Sequence, residues 1–144
     1  MIDFKLELNE SGRFDISIEN KNIKTTNKLD TAITLSLFTD ARASSSQILE
    51  PQNRRGWLND LNNTYPMGGL LWLLDQRKLN QDTLNNGKDY TSKSLAWVTD
   101  KKMASSIGVV TNIVPRYGMS IDVSIQINQN ELESKFFNLW ELSG

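Results

Sequence analysis

The chain has 144 residues, 38% hydrophobic and 23% charged, with 16 basic against 17 acidic side chains for a net charge of −1. That is enough for a single domain with one real core, and the composition argues against wholesale disorder and against a general electrostatic pull toward nucleic acid or anionic membrane. There is no cysteine and no histidine. Disulfides, thiolate metal sites, and serine–histidine or cysteine–histidine catalysis are therefore excluded, while carboxylate or lysine chemistry and oxygen-ligated metals stay open.

At the N-terminus Ile2, Phe4, Leu6 and Leu8 alternate with Asp3, Lys5 and Glu7. Asn9-Glu10-Ser11-Gly12 supplies turn chemistry, and Phe14, Ile16 and Ile18 resume the alternation. The pattern predicts a β-hairpin with one face on the core. It lacks the long apolar run of a signal peptide, and the longest apolar block in the chain, residues 70–74, falls far short of the roughly 20 residues of a membrane helix. The expectation is a protein made and folded in a cytoplasm, with no membrane insertion. Residues 20–27 read as a polar connector, in which Asn27, or Asp30 just after it, is placed to cap a helix.

Residues 29–43 predict that helix: Leu29, Ala32, Ile33, Leu37, Phe38 and Ala41 recur at three- and four-residue steps and share one face. Residues 43–66 are rich in Ser, Gln, Asn and Pro and read as a long ordered loop, with a helical turn near Trp57. Arg54-Arg55-Gly56-Trp57 is an odd composition for a spacer, since paired cations and a large aromatic on a loop often bind something. The plainer reading is that both arginines are solvated and Trp57 plugs the edge of the core. A second helix is predicted over residues 69–79, apolar on several sides, with Arg77 and Lys78 complementing its dipole. A third runs from Asp82 to about Met103, along Leu84, Lys88, Thr91, Leu95, Val98 and Lys102, with Gly87 weakening its first turns. Trp72, Tyr90 and Trp97 read as core packing.

The last third changes period. Ile107, Val109, Thr111 and Ile113 alternate, residues 115–118 turn, and Met119, Ile121, Val123, Ile125 and Ile127 alternate strictly with polar residues. Residues 135–142 predict a last strand or a docked tail, bringing Phe136, Phe137 and Trp140 near a chain end. No repeat or linker divides the chain, so residues 1–144 read as one domain. The fold class is α+β, with about three helices packed on a mainly antiparallel sheet formed by an N-terminal hairpin and C-terminal strands.

Chemistry is sparse. Gly68-Gly69 is a lone pair and no phosphate loop; no Asp-x-Asp run suggests calcium. The adjacent basic residues Lys101-Lys102 and Arg54-Arg55 are not interleaved with aromatics as a single-strand platform requires. No cofactor is expected. Asp40, Glu50, Asp60 and Asp75 are candidates for a catalytic carboxylate pair, which glycoside hydrolysis would need at about 5–10 Å separation. The residue types that dominate protein–protein contacts are Arg54, Arg55 and Trp57 on the loop, with Phe136, Phe137 and Trp140 at the end. These six are the candidate protein interface.

Four blocks in order carry a resemblance: Leu-Asp-Thr-Ala-Ile-x-Leu-Ser-Leu-Phe-Thr-Asp-Ala-Arg-Ala from residue 29, Arg-Arg-Gly-Trp from residue 54, Leu-Leu-Trp-Leu-Leu-Asp-Gln-Arg-Lys-Leu from residue 70, and Lys88-Asp89-Tyr90 with Ser94-Leu95-Ala96-Trp97-Val98. Together with the paired C-terminal strands and the Phe/Trp-rich end, they resemble the small baseplate protein of Mu-like contractile-tailed phages and prophages. Many relatives carry a second aromatic after the block's Trp, where this chain has Leu58. The resemblance implies a non-enzymatic wedge-type structural subunit of a tail baseplate, present in multiple copies and bound to other wedge and hub or tube proteins. It implies assembly in the host cytoplasm and residence in the virion tail. The competing reading is a tail-associated cell-wall hydrolase using a carboxylate pair.

Overall fold

The computed structural model describes residues 3–26, 29–49, 53–56, 60, 67–75, 77–116 and 118–138. Its centre is a three-stranded antiparallel sheet in the order β7 (Ser106–Val114), β8 (Gly118–Asn128), β9 (Glu131–Asn138). The strict alternation of β8 decides which face is buried: Met119, Ile121, Val123 and Ile125 are all shut off from solvent. Helix α2 (Gln81–Asp100) covers that face, with Leu84, Leu95 and Val98 buried, and Asn80 caps it by accepting the Thr83 amide at 2.9 Å. Helix α1 (Asp30–Phe38) adds Ile33 and Leu37 to the same core. Lys135, on the inner row of β9 beside Val123, makes an ion pair with Asp30 in the first turn of α1.

Gly87 belongs to the packing of α2. A Cβ there would lie 2.8 Å from Met119 Cε, so the missing side chain lets the helix approach β8. The buried stripe accordingly runs Thr83, Leu84, Gly87, Thr91, Leu95, Val98, and Lys88 points to solvent.

The α+β class holds, but three helices on one sheet do not. Among the described residues there are two α-helices, and the strands fall into four separate sheets. Where the second helix was expected over residues 69–79, the described residues form only a 3-10 turn, Leu71–Leu74. Gly69 is the reason: its N–H donates to Thr39 O at 2.9 Å and its C=O accepts from Ala41 N at 3.0 Å, a parallel bridge that keeps the backbone extended until Leu70. Buried Leu71 and Leu74, three apart, then suit the threefold period of a 3-10 turn. The same bridge stops α1 at Phe38, short of residue 43, with Thr39 extended.

The N-terminal strands do not join the C-terminal sheet. They form three two-stranded ladders: β1 (Asp3–Phe4) with β6 (Thr25–Thr26), β2 (Leu6–Leu8) with β3 (Phe14–Ile16), and β4 (Ile18–Glu19) with β5 (Asn22–Ile23). A ring of backbone hydrogen bonds joins them: Lys5 N to Lys24 O, Lys24 N to Ser17 O, and Ser17 N to Lys5 O. Residues 20–27, expected as connector, thus contribute two strands. Asn20 and Lys21, with φ of 51° and 65°, make the tight turn between β4 and β5. Leu29 precedes α1 without a side-chain cap, Asp30 lies inside its first turn, and Asn27 falls outside the described residues.

Candidate functional site

The end of α1, the 54–56 bend and the 3-10 turn meet at one place. Ala43 N donates to Arg54 O at 2.9 Å, and Arg54 Nε returns a bond to Ala43 O at 2.7 Å. Arg54 is therefore spent on holding two loop segments together. Arg55 follows with φ of 51° and Gly56 with φ of 96°. A Cβ on Gly56 would sit 2.6 Å from Arg42 Cβ, so the bend requires glycine there for both conformation and space.

The bend aims Arg55 back at α1. Its Nη1 donates to Asp40 Oδ2 at 2.8 Å, and its guanidinium lies 4.6 Å above the Trp72 ring. Trp72 is itself oriented by donating Nε1–H to Ala41 O at 2.9 Å. Thr39, Asp40, Arg55, Gly56 and Met67 line a shallow open depression of about 380 Å³. Asp75 completes the electrostatics. Partial burial pushes its carboxyl above the ordinary 3.8, Arg55 opposes the shift and Asp40 adds to it.

Magnitudes say what this cluster is for. An exposed ion pair contributes about 0.2–1 kcal/mol, and a cation over an aromatic ring at an exposed site about 0.5–1 kcal/mol. A left-handed backbone at a non-glycine residue costs roughly 1–2 kcal/mol. The terms nearly cancel, so the cluster adds little to stability. What it achieves is a half-exposed guanidinium held in one direction, with its ordering cost already met before anything binds.

The other expected interface residues part company. Strand alternation turns Phe136 outward, 59% exposed, and Phe137 inward, where its ring meets Phe38 edge-on at 5.2 Å. Trp57 and Trp140 lie outside the described residues. Of the four candidate carboxylates, Asp40 is engaged by Arg55, Asp60 Oδ1 accepts the Met67 amide at 3.0 Å, Asp75 borders the same cluster, and Glu50 lies outside the described residues. Trp72 is the participant the sequence reading assigned elsewhere. Trp97 does pack on the core, with its Nε1–H donated to Ser36 Oγ at 2.9 Å.

The family model of the phage protein GP46 matches residues 29–132, which contain the whole of this site. The chain belongs to the GP46 family. Two GP46 relatives extend the match. The baseplate protein gp46 of Escherichia phage Mu is 38% identical over 101 residues, 69% of this chain and 70% of that protein. The Mu-like prophage FluMu protein gp46 of Haemophilus influenzae is 25% identical over 134 residues, 92% and 93% of the two chains. The family the sequence blocks resembled is thus the one found.

Proposed function

We propose that the chain is a structural subunit of a contractile-tail baseplate, of the wedge type, working by recognition and mechanical coupling without turnover. The Mu relative carries the name of a baseplate protein, and that name supports the placement. The observation that carries the mode of action is the Arg55 bend, a pre-ordered guanidinium on a tryptophan shelf beside Asp40. Arg55 offers its outward N–H groups to a carboxylate of a neighbouring wedge, hub or tube protein, a geometry for which a planar fork is suited. Phe136 supplies an apolar contact from the outer sheet face, and Trp57 and Trp140 act as further anchors. In this reading the subunit acts in several copies, assembled in the host cytoplasm and retained in the virion tail.

The test replaces Arg55 by Ala in the intact tail operon and follows the subunit into purified tails. The expected outcome is a folded protein with at least tenfold lower incorporation, whereas Arg54→Ala lowers thermal stability first, because its guanidinium holds Ala43. Normal tails carrying Arg55→Ala would remove the bend from the interface. Clearing of purified peptidoglycan that is lost in Asp40→Asn or Asp75→Asn would instead favour the hydrolase.

A further inference from the structure

The strands before residue 29 present a second surface, separate from the Arg55 bend. Their ladders have two unlike faces. On one face Lys5 and Lys24 surround Glu7 at 2.8 and 3.5 Å, Ser17 donates to Glu7 at 2.7 Å, and Lys24 also reaches Glu19. The opposite face is set by the registers Phe4↔Thr25, Leu6↔Ile16, Leu8↔Phe14 and Ile18↔Ile23, and none of these eight residues is ionisable. Leu6 and Phe14 are half-buried, and Phe14 stacks on Phe38 of α1 at 5.4 Å. Phe4, Leu8, Ile16, Ile18 and Ile23 are left 44% to 71% exposed.

Two- and three-residue ladders are marginal in water unless an apolar face is covered. Here most of that face is open, and five such side chains amount to on the order of 500 Å², a patch size that on a monomer is often functional. Resting on the baseplate reading above, we propose that this face docks an uncharged, apolar segment of another tail protein, as the second anchor of a partner that also holds the chain elsewhere. Two arguments select that occupant. A symmetric pair of chains meeting through this patch alone would bury only about 1,000 Å² in total, at the weak end for a stable dimer. The same patch suffices as a second anchor, because a tethered partner meets it at high effective concentration. An ionised group pressed against the face would lose its water and find no counter-charge, so the contact made there is apolar. The family model starts at residue 29, so the face lies outside the segment that it covers, whereas a 134-residue match to the prophage relative necessarily reaches into it.

The full-length chain tests this. Ile18→Asp and Ile23→Asp put a charge in the face at solvent-exposed positions, and thermal melting verifies that each variant folds. Each is measured by surface plasmon resonance against every other purified baseplate protein of the same tail. The expected result is one protein whose affinity falls at least tenfold in both variants through faster dissociation and is kept by Ile18→Leu. Arg55→Ala in the same assay reports on the other site independently. Equal binding by wild type and both variants overturns the proposal, as does no binding by the wild type. A wild-type dimer in sedimentation velocity that Ile18→Asp abolishes also overturns it, assigning the face to a second copy.

Discussion

Asp75 lies within electrostatic reach of Arg55 and Asp40, and each neighbour moves its carboxyl in a definite direction. Asp75 is raised above 3.8 by partial burial first, lowered by Arg55 and raised again by Asp40. Arg55→Ala should therefore move the Asp75 midpoint further up and Asp40→Asn should bring it down, both read by carboxyl-carbon NMR. A carboxyl whose folded value lies above its unfolded one favours the fold in acid, and that contribution fades as pH rises through the folded value. Asp75→Asn should accordingly be more stable than the parent at neutral pH and equal to it in acid. Thr91 is a simpler case at the same scale. Its hydroxyl is fully buried on α2 with no hydrogen-bond partner, so it carries a desolvation cost with no return. Thr91→Val keeps the shape, removes the orphan and should stabilise the protein by about 1 kcal/mol in urea denaturation.

Among the elements, the ladders around Lys5, Ser17 and Lys24 hold a carboxylate between two cations. Hydrogen bonds from Lys5 first and Ser17 second hold Glu7 at about 2, against an ordinary 4.5. A carboxylate depressed in the folded state contributes stability above its unfolded value and loses it as pH falls through the folded one. Amide protection relative to the intrinsic exchange rate should thus fall in residues 3–26 between about pH 4.5 and pH 2 before it falls in the C-terminal sheet, and Glu7→Gln should flatten that response. How much of each element was readable follows from how local its determinants are. Strand β8 carries its own period of two, and α2 carries its stripe and its Asn80 cap. Leu70 to Leu74 is apolar on all sides, so its period favours no conformation, and what decides it is the pair of Gly69 bonds to residues about thirty positions earlier. Residues 20–21 hid a hairpin because Asn20 is a residue for such turns, whereas Lys21 stands where glycine normally marks one. At the candidate site the two adjacent arginines were legible as cations. Which of them faces outward was not, since Asp40 and Trp72 reach Arg55 only through the fold.

Across the whole molecule, the N-terminal strands, α1 and the C-terminal sheet are linked by one run of rings, Phe14 on Phe38 on Phe137, with the Asp30–Lys135 ion pair beside it. That run separates the two adjacent phenylalanines of β9 into different duties. Phe137 joins the interior, so Phe137→Ala removes contacts with Phe38 and should cost about 2–3 kcal/mol, less than the 3–5 typical of a fully buried ring because Phe137 is only partly enclosed. Phe136 faces outward across from Asp122 and is largely exposed, and Phe136→Ser should leave the urea midpoint of the isolated protein unchanged. If the outer face of the sheet serves assembly, the ranking reverses in the particle. Phe136→Ser should then lower incorporation into tails at constant monomer stability, while Phe137→Ala should lower incorporation only in proportion to the folded protein available. Equal incorporation of Phe136→Ser and wild type would take the outer face of the sheet around Phe136 out of the assembly contacts, since a surface aromatic that touches nothing in the tail has no other route to affect it.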